Sequence, residues 1–131
     1  MSLMSMMIIG AASILNFQQH DSPSVSIEEI HKKMQSNERV VLLDVRTPQE
    51  FGGETGHLEG AILLPVQDLT MRLGELEPFK NDTIFVYCRT DNRSRSAVSI
   101  LEGKAFKASF MKGGISAWRA AGLPVVLEVP E

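Results

Sequence analysis

The segment Cys88-Arg89-Thr90-Asp91-Asn92-Arg93-Ser94 sets the only thiol of the chain among cationic and hydrogen-bonding side chains. It follows the apolar run Thr83-Ile84-Phe85-Val86-Tyr87, which reads as a buried strand. It precedes Ser94 to Glu102, where Ala97, Val98, Ile100 and Leu101 make one apolar helical side and Gly103 follows as a stop. A loop entering a helix turns free backbone N–H groups toward a common point, and the helix dipole adds positive potential there. Arg89 and Arg93 add two full charges, with Arg95 close behind. Such surroundings favour the thiolate, which is the nucleophilic form. The same field suits a bound anion, or an anionic persulfide on Cys88. Free cysteines often only fill space at a strand end. The arginines and the helix start single this one out for chemistry.

Further elements must position that loop. Val40-Val41-Leu42-Leu43 is an uninterrupted aliphatic run, as expected of a strand covered on both faces. Ala61 to Leu64 reads as a second short buried strand, closed by Pro65, and Ala108 to Met111 as a weaker one. Ser26-Ile27-Glu28-Glu29 and Thr47-Pro48-Gln49-Glu50 read as capping boxes opening helices. Asp68 to Leu73 suits a helix with Pro78 beyond it, and Ile115 to Ala121 a last helix ended by Gly122 and Pro124. Alternating strand and helix implies an α/β domain with a mostly parallel sheet.

Composition bounds the function. The 131 residues fit one domain, and 44% hydrophobic with 22% charged residues is a globular balance. A net charge of −3 gives no overall electrostatic reason to seek nucleic acid. One cysteine excludes an internal disulfide, a cysteine-rich zinc site and a resolving thiol within these residues. His20 and His31 read as surface residues, and no histidine pair has ligand spacing with Cys88, so no metal or cofactor is expected.

Residues 1–24 stand apart as an apolar segment and linker, ahead of a domain over 25–131. Met1 to Gln19 carry no charged side chain, yet the stretch is too interrupted for a membrane span and lacks the basic start of a secretory signal. An amphipathic helix packing on the domain, or on a second copy to make a homodimer, is one reading. A remnant of an anchor or signal is another, and first residues from an expression vector a third. A reactive free thiol suits a cytoplasmic setting, and the uncharged start leaves export or membrane association open.

Four segments in order resemble the rhodanese family of sulfurtransferases. They are Leu43-Asp44-Val45-Arg46-Thr47-Pro48-Gln49-Glu50-Phe51, Gly56-His57-Leu58-Glu59-Gly60-Ala61, the loop from Val86 to Ser94, and Gly113-Gly114-Ile115-Ser116-Ala117-Trp118. The resemblance runs from Val25 to Pro124. It implies a small, mostly parallel five-stranded sheet with helices on both faces. It also implies a reaction in which a small anionic donor such as thiosulfate gives its outer sulfur to the cysteine, and a thiol, cyanide or protein acceptor removes it. Carried over, Cys88 is the nucleophile and persulfide carrier. Arg89, Thr90, Asp91, Asn92, Arg93 and Ser94 form the anion cradle, chiefly through main-chain N–H groups, with Arg93 holding the loop. Asp44 and Arg46 brace the loop, and His57 is structural.

Two features depart from the family pattern. Asp91 stands where glycine is usual. Aspartate tolerates left-handed backbone better than most residues, but a carboxylate near Cys88 opposes the thiolate and repels thiosulfate. On that reading Asp91→Gly raises the thiosulfate rate. The connection Gly52-Gly53-Glu54-Thr55 is about two residues longer than is usual, an insertion that a surface loop tolerates.

Two other functions compete. A cysteine phosphatase needs a wider loop than the four residues between Cys88 and Arg93. A regulatory module, or a persulfide carrier dedicated to one protein, would keep the fold and suit the apolar N-terminal segment.

Overall fold

The computed structural model describes residues 22–127. The expected packing of residues 1–20 therefore lies outside the described residues. Five parallel strands form one sheet: β1 (Ser24–Val25), β2 (Val41–Asp44), β3 (Ile62–Leu63), β4 (Thr83–Tyr87) and β5 (Lys107–Met111). Their spatial order is β1-β5-β4-β2-β3. Among the described residues four α-helices accompany them: α1 (Ile27–Gln35), α2 (Pro48–Phe51), α3 (Asn92–Gly103) and α4 (Gly114–Ala120). The α/β class, the parallel sheet and the five strands agree with the sequence reading.

Strand alternation divides the core in two. Ile84, Val86 and Cys88 face one cluster with Leu43, Val98, Leu101 and Phe110. Tyr87 and Leu42 face the other, with Ile30, Met111, Ile115 and Trp118. The interior strand β2 is buried along its whole length, as its unbroken aliphatic run requires.

Several local expectations change. Ser24, read as linker, pairs with Phe110 as the first residue of β1. The strand over Ala61–Leu64 shortens to Ile62–Leu63 and is half-buried, because β3 is the sheet edge. In place of a helix over Asp68–Leu73 come 3-10 turns at Val66–Asp68 and Thr70–Phe79, and they include Pro78. The backbone departs from helical geometry at Arg72, and proline cannot donate to a regular α-helical ladder. Ser26 Oγ accepts from the Glu29 N–H at 3.1 Å. The reciprocal box forms in full only at Thr47–Glu50.

Candidate active site

The chain leaves β2 toward β3 on one side and β4 toward β5 on the other. Ligands of open parallel sheets bind where connections diverge in this way, beyond the carboxyl ends of the strands. Cys88 occupies that position. Its residue is 2% exposed, and it forms the floor of a cavity of about 270 Å³ lined by Arg89, Thr90, Asn92 and Arg93.

Helix α3 begins at Asn92, two residues earlier than the sequence suggests, so the loop is short and the first helical turn faces the sulfur. The Ser94 N–H donates to Cys88 Sγ at 3.4 Å. Ser94 Oγ lies 3.5 Å from the sulfur and donates its own proton to the Asp91 carbonyl at 3.1 Å. A thiolate at this point receives a main-chain donor and the positive end of the α3 dipole.

Arg93 approaches from the rim. Its two terminal nitrogens donate to the two Glu50 oxygens at 2.7 and 3.0 Å. Glu50 also completes the Thr47 box, accepting from the Thr47 N–H at 3.1 Å. The Arg93 fork pulls the Glu50 carboxyl down to about 2, with the Thr47 N–H assisting against partial burial. Arg93 in turn is held more firmly charged, first by Glu50 and further by the nearby Cys88 and Asp44. Sequence reading found Glu50 only as a cap. The pair bridges 43 positions, which no local pattern records.

The Gly113–Gly114 turn holds the loop from the other side. Ile115 N–H donates to the Cys88 carbonyl at 2.9 Å and Ser116 N–H to the Arg89 carbonyl at 3.1 Å. Gly114 has φ +61°, and a Cβ there would fall on the Arg89 carbonyl oxygen. Glycine is thus required twice over, by conformation and by space.

Asp91 has φ −130°, outside the left-handed region, so the backbone here does not call for glycine on that ground. Its Oδ1 accepts from the Gly113 N–H at 2.8 Å. The carboxylate is directed to that turn, and Asp91 is not among the residues lining the cavity.

Asp44 and Arg46 form a buried pair, Nη2 to Oδ2 at 2.7 Å. Arg46 also donates to the Gly56 carbonyl at 2.8 Å and to Thr55 Oγ1 at 2.9 Å. Its guanidinium lies over the Tyr87 ring at 5.6 Å. Burial opposes the Arg46 charge, but the bond and charge of Asp44 outweigh it, and the pKa is raised. Burial also pushes the Tyr87 hydroxyl up, with the Asp44 charge adding. That hydroxyl accepts from the Leu58 N–H at 3.0 Å. The pair therefore holds the 55–58 segment and, through Tyr87, the strand end that carries Cys88. The longer connection is stitched in place, since Arg119 donates to the Thr55 carbonyl at 3.2 Å.

His57 lies beside this segment, 6% exposed, with its ring stacked on Phe51 at 3.7 Å. Its main chain pairs with Val126 in an antiparallel bridge. His31, read as a surface residue, is half-buried and meets Trp118 edge-on at 5.7 Å.

The chain has relatives of known kind. A sulfurtransferase of Allochromatium vinosum is 31% identical over 103 residues, covering 78% of this chain and 92% of that protein. A probable molybdopterin-synthase adenylyltransferase of Porphyra purpurea is 32% identical over 95 residues, 72% of this chain but only 24% of that protein. The crystal structure of a rhodanese-related protein from Thermoplasma volcanium superposes with a TM-score of 0.72 at 29% identity, covering 81% of this chain and 99% of that one. The model of the rhodanese-like domain matches residues 26–121, a span that holds the Cys88 loop, the Glu50 cap and the Gly113–Gly114 turn. The chain belongs to the rhodanese-like domain family.

Proposed function

We propose that the chain is a sulfurtransferase that carries sulfane sulfur on Cys88. One observation carries the reading. Cys88 Sγ sits on the floor of a small polar cavity with the Ser94 N–H directed at it, at the start of α3. The cavity suits a small anion, and the name of the Allochromatium relative supports sulfur as the group moved.

With thiosulfate as donor, the Cys88 thiolate attacks the outer sulfur. A bond forms between Cys88 Sγ and that sulfur, and the bond to the sulfonate sulfur breaks. Its electron pair leaves with sulfite, and Cys88 retains an anionic persulfide. Cyanide or an acceptor thiolate then attacks the outer persulfide sulfur. The Cys88–sulfur bond breaks, and its pair returns to Cys88 as thiolate. The product is thiocyanate or the acceptor persulfide. Main-chain donors at the head of α3 stabilise the anionic sulfur at each stage.

A phosphatase requires the loop arginine to grip phosphoryl oxygens. Here both terminal nitrogens of Arg93 are engaged by Glu50. The test is a thiosulfate-to-cyanide assay beside an aryl phosphate assay, each with Cys88→Ala as blank. The proposal expects Cys88-dependent thiocyanate and no phosphate. Cys88-dependent phosphate without thiocyanate overturns it.

A further inference from the structure

One turn along α3 from Asn92, which lines the catalytic cavity, Arg95 lines a second cavity of about 210 Å³ together with Ser22, Ser24, Phe110 and Lys112. Arg95 and Lys112 are exposed, as is Arg89 at the catalytic cavity. Among the described residues none of these three cations has an ion-pair partner, whereas Arg93, Arg46, Arg39 and Arg72 all do. Glu28 borders Lys112 across a separate cavity without an ion pair to it.

Asp91 lines neither cavity, but its chain neighbours Thr90 and Asn92 line the first and its hydrogen-bond partner Arg95 lines the second. Its carbonyl accepts from the Arg95 N–H at 2.9 Å, and its carboxylate accepts from Gly113, the residue after Lys112. The basic pair thus flanks a residue three positions from the reactive cysteine. Arg95 is preset for recognition, because its guanidinium lies over the Phe110 ring at 5.0 Å. A stacked guanidinium keeps its donor edge free for a carboxylate. The chain as a whole carries −3, so this basic ledge is a local exception to its charge.

We propose that the ledge docks an acidic polypeptide whose thiol takes sulfur from Cys88. Carboxylates of the partner lie on Arg95 and Lys112 while its cysteine enters the catalytic cavity. The proposal rests on the sulfur-transfer reading and names the acceptor class. A small acceptor needs only the first cavity. A ligand that uses both must pass over the Asp91 segment, which suits a chain rather than a small thiol. The partner's thiolate attacks the outer sulfur of the Cys88 persulfide and forms a new S–S bond. The old bond breaks with its electron pair returning to Cys88, and the partner leaves as a persulfide.

The test uses the protein loaded with inorganic polysulfide, so that it does not depend on thiosulfate. Two peptides of equal length are compared, each with one cysteine, flanked by glutamates in one and lysines in the other. At low salt the acidic peptide discharges the persulfide faster by roughly tenfold, and added salt erodes the difference. Arg95→Glu with Lys112→Glu removes or inverts the preference, and Arg95→Gln with Lys112→Gln reduces it. Cyanide discharge, measured on each variant, supplies the baseline against which the ratio of the two peptide rates is taken. Equal rates for the two peptides, or a preference that survives charge reversal, overturn the proposal. Failure of cyanide to discharge the loaded protein overturns the sulfur-transfer reading itself, and this inference with it.

Discussion

Arg93 and Glu50 meet in a two-pronged ion pair at 2.7 and 3.0 Å that clasps the Cys88 loop to the helix following β2. The Glu50 carboxyl sits at about 2, below its usual 4.5, chiefly because of Arg93. A lowered carboxylate stabilises the fold fully above its unfolded pKa and loses that contribution as pH falls through the folded value. The clasp is therefore intact near neutrality and fails between about pH 4.5 and 2. Acid titration of the folded protein by NMR should show Glu50 titrating near the lower end of that range. In Arg93→Ala, Glu50 should return toward the ordinary carboxylate range.

Glu50→Gln keeps a cap for the Thr47 helix but removes the charge that holds Arg93. The released guanidinium can swing, and the loop loses one anchor. The expected result is a loss of roughly tenfold in kcat/KM with thiosulfate, about 1.4 kcal/mol. Steady-state kinetics beside an unchanged far-UV spectrum check it.

Asp91 combines a charge with an anchor, and two substitutions separate them. Asp91→Asn keeps an oxygen to accept from Gly113 and removes the charge. Asp91→Gly removes both. Although turned to Gly113, the carboxylate keeps a negative charge three positions from Cys88, and about 1 kcal/mol of repulsion on a dianion at solvent-like screening would correspond to a roughly fivefold gain in thiosulfate kcat/KM for Asp91→Asn. Sequence alone assigns that gain to glycine. The 2.8 Å bond to Gly113 shifts it to asparagine, with Asp91→Gly lower because the turn against the loop is loosened. A glycine variant faster than the asparagine one would refute the anchor.

Gly114→Ala places a Cβ on the Arg89 carbonyl at a positive φ. The strain of a left-handed alanine alone is about 1–2 kcal/mol, and the clash must displace the cradle. Activity should fall by well over tenfold (about 1.4 kcal/mol or more), while thermal unfolding shifts modestly. Activity near wild type would show that the cradle does not depend on this close approach.

Asp44 and Arg46 are buried together at 0% and 1% exposure. Asp44→Ala leaves a guanidinium uncompensated in the core, which costs about 3–5 kcal/mol. Urea denaturation should show that loss. A cost below about 1 kcal/mol, the range of surface pairs, would mean that the pair is not sealed from water.

The class, the parallel sheet and the place of the thiol were legible because each rests on local pattern. Thr83–Tyr87 is apolar through its middle, and α3 starts right after the loop. The edge strand β1 was not legible, since two residues carry no periodicity and pair only with a distant β5. Glu50 was legible as a cap but not as the partner of Arg93, because a charge pair across 43 positions leaves no trace in spacing. Asp91 showed its charge in the sequence and its conformation only in the fold.

The most direct test of the account is the mass of the intact protein after thiosulfate treatment and removal of excess donor. The account predicts a gain of one sulfur atom, lost on adding dithiothreitol or cyanide and absent in Cys88→Ala. No gain on the wild-type protein, with either thiosulfate or inorganic polysulfide as donor, would contradict it.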